Sequence, residues 1–493
     1  MLHKKNDHND FENYRAICLL CHSYKLLSTI IARRLHAQLE AILPDSQAGF
    51  RPARGTRDNV CILKWMISMT LREGREALLT FIDYKAAFDT ESQLFLDEAL
   101  GAAGVSVKLR RIIKAIFNAA SGHVRVENEL SEPFDISRGV LQGDIFSPVA
   151  FIAGLWRIFS THDQPNAGIT LGSPPYEVKV SDLAYADDAG LADTNVTEAS
   201  ERISAISRGS REDAAMTVSV KKTKSMHIHE TTAVTDTTEE EVTSLNLKHK
   251  CSECGRTFPT LHGLKVHIGR WCDGGQTIRS RKGSLADKAV QLSKRKLAEN
   301  ERDHVYMEGE EIENVHSFVY LGSKVQCDGD DLADVKYRMT IAQAAFSSLS
   351  RIWQDHRLPL SMKLGLYQSA VCSTFTHACE AWTLTDSIRR TINGFNSRCL
   401  HVLTGASYRD TATNPPFDLV LAIRRRRMRY LGHILRMKRD RLLRRALEAY
   451  LWGGDAGPPE GSLLDDCQEK SLERLACIAD NRGRWDKMVR KLR

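Results

Sequence analysis

Two adjacent aspartates, Asp187 and Asp188, sit in the run Tyr185-Ala186-Asp187-Asp188, between Ser181-Asp182-Leu183-Ala184 and Ala189-Gly190-Leu191. Small and apolar neighbours of this kind belong to a core, where ionised carboxylates resist losing water unless their charge is compensated. A divalent cation compensates it. Read as strand, turn and strand, the segment points successive side chains to opposite faces, so one aspartate faces the site squarely and the other flanks it from the turn. Taken alone, the pair also fits a surface turn. A partner stands far upstream, where Leu78-Leu79-Thr80-Phe81-Ile82 reads as a buried strand that delivers Asp83 at its tip. If folding brings Asp83 and Asp187 together, they hold two Mg²⁺ ions about 3.5–4 Å apart, which stabilise the attacking and leaving oxygens of an in-line phosphoryl displacement. Oxygen ligands suit that cation, and substrate phosphates complete its shell. Asp89, followed by Thr90-Glu91-Ser92, equally reads as a helix cap.

Between these carboxylates lies Ser137-Arg138-Gly139-Val140-Leu141-Gln142-Gly143-Asp144-Ile145-Phe146-Ser147-Pro148. Its two glycines bracket Gln142 and permit close backbone approach to a ligand. A second constellation is Cys251-x2-Cys254 followed by His267-x4-Cys272. Three thiolates and an imidazole make the closed tetrahedral set of a structural Zn²⁺ site, with no position left for a reacting water. Phe258 and Leu264 fall where the small core of a ββα finger needs them, and His262 is an alternative ligand. An unmetallated loop with the same spacing is the plain alternative.

The elements that must position these residues follow from periodicity. Leu26, Leu27, Ile30, Ile31 and Leu35 recur at helical spacing, as do Leu109, Ile112, Ile113, Ile116 and Phe117 within a helix over 108–118. Ser147-Pro148 opens an apolar helix through Val149, Phe151, Ile152, Leu155 and Trp156. Residues 331–356 and 361–376 read as two further helices. The stretch 230–246, rich in threonine and glutamate, reads as a solvated linker. Arg424-Arg425-Arg426-Arg427-Met428-Arg429-Tyr430 combines dense arginine with an aromatic, a composition suited to phosphate contact and base stacking.

Taken in order, these blocks resemble the reverse transcriptases of non-LTR (LINE-like) retrotransposons. Asn13 to Leu20 with Tyr24-Lys25 looks like the first finger block, and Gln47-Ala48-Gly49-Phe50-Arg51-Pro52 looks like the second. Asp83 to Asp89, Gly139 to Pro148 and Tyr185 to Asp188 look like the palm motifs. Met216 to Lys224 is similar to the next palm motif, Phe318-Val319-Tyr320-Leu321-Gly322 to the primer grip, and His377 to Trp382 to the region beyond the thumb. The resemblance implies an α+β right-hand polymerase: partial fingers over 1–80, palm over 81–230, a linker with a C2H2-type (CCHC) zinc finger over 231–304, primer grip over 305–330, thumb helices over 331–385 and a basic helical region over 386–493. It implies an RNA-directed DNA polymerase in which Asp83 and Asp187 bind Mg²⁺ with Asp188 beside them. Phe88 would exclude a ribose 2′-hydroxyl, Gln142 and Gly143 would line the nucleotide and template pocket, and Arg15 and Lys25 would contact the triphosphate. One lysine among Lys221, Lys222 and Lys224, with Lys222 carried as the site residue, would act at the leaving pyrophosphate. RNA template, DNA primer and deoxynucleoside triphosphates are the implied partners. Ile145 and Ala16 replace common prolines of the family without changing a ligand.

Composition agrees with this reading. The chain has 493 residues, 42% of them hydrophobic, and a net charge of +7, a balance suited to a polyanion. No stretch is apolar enough to span a bilayer, and Met1 to Asp10 is too polar for a secretory leader. Twelve cysteines without dense regular spacing fit reduced thiols, so a nuclear or cytoplasmic location is expected. The chain starts almost on the first finger block, without the apurinic-type endonuclease of many such elements, which leaves a separate endonuclease as a candidate partner. The rival readings are a truncated or domesticated relic that binds nucleic acid without catalysis, and a zinc-finger binding module for which the palm is only a scaffold.

Overall fold

The structure, a computed structural model, describes residues 2–3, 14–15, 17–126, 129–229, 249–250, 257–258, 304–413, 415–454, 457–467 and 469–492. The chain divides into two units, one of residues 1–229 with 304–493 and one of 230–303. In the larger unit the principal elements are α1 (His22–Leu39), α2 (Thr56–Arg72), β1 (Ala77–Ile82), α3 (Gln93–Ala102), α4 (Val107–Asn118), α5 (Ser147–His162), β2 (Asp182–Tyr185), β3 (Asp188–Asp193), α6 (Val196–Glu212) and β4 (Lys224–Ile228). They continue with β5 (Glu313–Asn314), β6 (Ser317–Tyr320), β7 (Ser323–Gln326), α7 (Leu332–Ser348), α8 (Asp386–Thr404), α9 (Leu419–Leu435) and α10 (Leu442–Trp452). The fold is mixed helix and sheet, as expected of an α+β chain.

One five-stranded sheet, ordered β2-β3-β1-β4-β5, organises the unit; β4 and β5 run parallel and the other neighbours antiparallel. All six residues of β1 are buried, which is why it reads as an unbroken apolar run rather than an alternating one. Its side chains divide between the two faces of the sheet. Ala77, Leu79 and Phe81 join a core with α2, α9 and α10, whereas Leu78 and Ile82 join another with α1, α3, α4, α5 and α6. A third core, from Val335 to Ile423, is built mainly by helices. Among the described residues no helix is long and apolar enough to cross a membrane.

Several expected elements differ in detail. The helix read over 331–356 stops at Ser348 and resumes over Ser350–Gln354. The one read over 361–376 contains a π-helical turn, Tyr367–Cys372, which carries the fully buried Tyr367 with its hydroxyl 2.9 Å from Asn396 Oδ1. Asp89 is not the cap of the following helix. Ser92 is, its hydroxyl accepting the Phe95 N–H at 3.3 Å.

The arginine run of α9 is largely spent inside the protein. Arg424 pairs with Asp466 at 2.7 Å, Arg426 with Glu380 at 2.7 Å, and the buried Arg427 donates to Gly461 O at 2.8 Å. Tyr430 is buried too, its hydroxyl 2.6 Å from Asp58 Oδ1, so base stacking on its ring is excluded. In the smaller unit, His249–Lys250 pairs antiparallel with Thr257–Phe258. Cys251, Cys254, His267 and Cys272 lie outside the described residues.

Candidate active site

Antiparallel pairing of β2 with β3 sets Tyr185 opposite Asp188, so Ala186 and Asp187 form a two-residue loop. Ala186 has φ 57°, a left-handed conformation that a non-glycine residue adopts at a cost. The cost is met locally. Gln47, 5% exposed, reaches under the loop, and its Oε1 accepts the N–H groups of Ala186 and Gly49, both at 2.9 Å. Its Nε2 faces Ala186 O at 3.5 Å. The backbone beside Gln47 also pairs with β2, Ala48 N–H donating to Ala184 O at 2.8 Å and Ala184 N–H to Ser46 O at 3.0 Å. Buried Asn59 of α2 donates to Ala184 O at 2.9 Å. Gly49 must be glycine here, since a Cβ would stand 2.3 Å from Ala186 N.

Pairing of β3 with β1 sets Ala189 opposite Ile82, so one step further along both strands Asp188 faces Asp83. Electrostatics agree with that placement. The Asp188 carboxyl is pushed up to about 6, first by burial and then by the carboxylates of Asp187 and Asp83. Asp83 Oδ2 is buried and accepts no hydrogen bond; the Lys222 ammonium lies 3.5 Å from it. The segment that carries this lysine is fixed to the tip of β1, Ser219 N–H donating to Asp83 O at 2.8 Å and Asp83 N–H to Thr223 Oγ1 at 3.3 Å. Lys224 is occupied elsewhere, with Glu313 at 2.6 Å.

An unspent buried carboxylate oxygen, next to two further carboxylates, is the electrostatic setting that a divalent cation relieves. Among the described residues no group of three or more His, Cys, Asp and Glu side chains is gathered closely enough to hold a metal by itself.

The other predicted site residues take these places. Phe88 is half-buried, stacked on Phe151 with centroids 4.1 Å apart and edge-on to Phe50 at 6.2 Å. Gln142 donates to both Asp89 carboxylate oxygens at 3.1 Å. Gly143 has φ 108°, and a Cβ there would lie 2.8 Å from Cys18 O; at Gly139 it would lie 2.5 Å from Phe88 O. The close approach that these glycines allow is thus made by the protein's own backbone, not reserved for a ligand. Lys25 is exposed in the first turn of α1. That helix is tied to the loop after Gly143, Tyr24 and Ser28 donating to Asp144 at 3.2 and 2.5 Å. The Arg15 backbone pairs with Leu2, and its side chain lies outside the described residues.

The sequence reading gave no role to Gln47 or to Phe50. The Phe50 ring, 41% exposed on a residue with φ 54°, stands 6.4 Å from Tyr185 as well as near Phe88. A glutamine two residues before a glycine and three before an aromatic carries no chemical signal of its own, and only the fold shows what the three touch.

Comparison with known proteins places this geometry. Over 197 residues the chain is 30% identical to the Retrovirus-related Pol polyprotein from type-1 retrotransposable element R2 of Popillia japonica, covering 40% of this chain and 27% of that protein. It is 29% identical over 202 residues to the Probable RNA-directed DNA polymerase from transposon BS of Drosophila melanogaster, covering 39% of this chain and 20% of that one. The chain therefore matches less than a third of the length of either relative. Among solved structures, apo telomerase from Candida tropicalis aligns at 12% identity and a TM-score of 0.36, covering 95% of this chain and 60% of that one. Residues 2–324, well over half of the chain, match the family described as reverse transcriptase (RNA-dependent DNA polymerase), and the chain belongs to that family.

Proposed function

We propose that the chain is the RNA-directed DNA polymerase of a non-LTR retrotransposon, adding deoxynucleotides to a primer 3′-hydroxyl on an RNA template. The observation that carries the reading is the pairing of Asp188 with Asp83 at the ends of adjacent strands, with Asp187 in the loop next to them and Asp83 Oδ2 buried without a hydrogen bond. Family membership and the likeness to retrotransposon proteins support it. In this reading the fingers, palm, primer grip and thumb follow the boundaries expected above.

Asp83 and Asp187, with Asp188 beside them, would hold a pair of Mg²⁺ ions that supplies the positive charge for both the attacking 3′-oxygen and the departing pyrophosphate. Phe88, supported by Phe151, walls the sugar of the incoming nucleotide and favours the deoxy form. Gln142 and Gly143 border the base pair, and Arg15 and Lys25 approach the triphosphate from the fingers. Lys222 balances Asp83 until substrate binds and then moves to the leaving group. The segment with Cys251, Cys254, His267 and Cys272 is read as a structural zinc finger; its support is the ligand spacing. One equivalent of zinc per chain, measured by atomic absorption on the purified protein, is the expected result.

The test is primer extension on an RNA template with Mg²⁺, comparing the wild type with Asp187→Ala. The variant should lose roughly a thousandfold or more in rate, the equivalent of about 4 kcal/mol of transition-state stabilisation, while its melting temperature stays close to that of the wild type. Equal incorporation by both proteins sinks the assignment.

A further inference from the structure

A cavity of about 410 Å³ opens between the loop Ala53-Arg54-Gly55, the first residues of α2, His377 and α9. Three guanidiniums and two imidazoles line it, from Arg54, Arg57, Arg426, His377 and His433. Of its acids, Asp58 is fully committed and Glu380 through one oxygen. Asp58 accepts Tyr430 OH at 2.6 Å on one oxygen and Gly55 N–H at 3.0 Å on the other. Glu380, fully buried behind the wall, takes Arg426 Nε at 2.7 Å. Arg54 is spent as well, on Glu40 at 3.1 Å and Asp45 at 2.7 Å, with its side chain 5% exposed.

Glu380 Oε2 is buried here without a hydrogen bond among the described residues, and the donors that remain outnumber it. Arg57, with 44% of its side chain exposed, makes no hydrogen bond among the described residues; its guanidinium rests on the Tyr430 ring at 4.6 Å, with Glu380 at 3.6 Å and Asp58 at 3.8 Å. His433 makes none either, and stacks on the same ring. Arg426, whose side chain is 40% exposed, uses one edge on Glu380 and Thr376. His433 is held below its ordinary value by burial and then by Arg57, with Asp58 opposing, and His377 by burial and then by Arg338. A cavity rich in unspent planar donors and poor in acceptors selects an oxyanion.

We propose that this cavity binds a backbone phosphate of the primer–template duplex, with Arg57, Arg426 and His433 as its donors. The proposal rests on the polymerase reading for the identity of the anion. Position supports it: His377 lies 3.1 Å from Leu321 O, and Arg338 donates to Gly322 O, so the cavity adjoins the Leu321-Gly322 turn, whose hairpin is anchored to β2 by Tyr320 OH on Leu183 O at 2.9 Å. A phosphate held here is tied through two short contacts to the strand that leads into the catalytic loop.

The experiment measures duplex affinity by fluorescence anisotropy between about 50 and 200 mM salt, using the full chain as wild type, Arg57→Gln, Arg57→Lys and His433→Gln. Arg57→Gln should weaken binding roughly fivefold at the higher salt and lower the slope of log K against log salt by about one, the signature of a single lost phosphate contact. Arg57→Lys should restore most of the slope. An unchanged slope in Arg57→Gln overturns the site, as does an equal loss in the Lys variant accompanied by a lower melting temperature. Inorganic phosphate added at constant ionic strength should weaken duplex binding by the wild type and not by Arg57→Gln; phosphate that binds through Arg57 without displacing the duplex would assign the cavity to a free anion and overturn the proposal. A wild type that binds with the expected slope yet extends nothing fails the polymerase reading alone, and one that does not bind fails both.

Discussion

At the scale of single residues, the Ala186-Asp187 loop depends on a buried side chain beneath it. Gln47 Oε1 accepts from two inward-facing amides, those of Ala186 and Gly49, and a buried N–H left without an acceptor costs about 1–3 kcal/mol. Gln47→Leu should therefore release the left-handed Ala186 and let Asp187 and Asp188 drift. A displacement of about 1 Å at a reacting centre costs on the order of 10²-fold, so we expect primer-extension kcat to fall by about that factor, with a raised Mg²⁺ requirement and little change in KM for nucleotide. Gln47→Glu keeps an oxygen for both amides and should recover most of the rate. Wild-type kcat and Mg²⁺ dependence in Gln47→Leu would dismiss this role. The carboxylates themselves were legible because an Asp-Asp pair among small apolar residues is costly without a purpose. Gln47 was not, because its function is a backbone contact with a loop distant in sequence, and no property of glutamine announces that.

At the scale of elements, strands and helices with a clear apolar period were readable, including the strand-turn-strand at Asp187 and the helix begun by Ser147-Pro148. What periodicity missed are features decided by tertiary neighbours, such as the break at Leu349 and the π-helical turn at Tyr367. The contact between Glu91 and α5 is of this kind. Glu91 is fully buried, both its carboxyl oxygens lack hydrogen bonds, and it occupies the space left by Gly154, where a Cβ would come 1.8 Å from Oε1. Burial alone raises its pKa well above the ordinary 4.5. The folded state therefore holds a proton that the unfolded chain releases once pH passes 4.5. Stability is fully present below that pH and declines as pH rises toward the folded value, with a slope of at most about 1.4 kcal/mol per pH unit from this one group. Urea melts at a series of pH values above 4.5 should show a smaller decline for Glu91→Gln than for wild type. Identical pH profiles would mean that Glu91 is not buried as a neutral acid.

At the scale of the whole molecule, composition and block order were enough to suggest a large mixed fold with a basic, helical C-terminal region, but not where that region packs. Its arginines read as suited to phosphate contact and base stacking; in the fold, Arg424 and Arg427 are internal ties and the apolar faces of α9 and α10 complete the core beneath β1. The joins to the N-terminal half are specific. Tyr450 of α10 stacks on Trp65 of α2 with centroids 5.5 Å apart, the Arg72 guanidinium lies 5.4 Å from the Tyr450 ring, and the Leu442 N–H donates to Asp45 Oδ2 at 2.9 Å. Because α2 also holds Asn59 against β2, the C-terminal helices and the catalytic loop share one mechanical base. Tyr450→Ala should cost about 3–5 kcal/mol, the usual range for emptying a buried aromatic site. It should also lower the midpoint of unfolding for the whole larger unit rather than melt α10 alone, since helices that share a core unfold with it. Tryptophan fluorescence and far-ultraviolet circular dichroism should then trace coincident urea transitions in wild type and variant. An early transition that removes the C-terminal helices while primer extension persists would show that the catalytic loop stands without them.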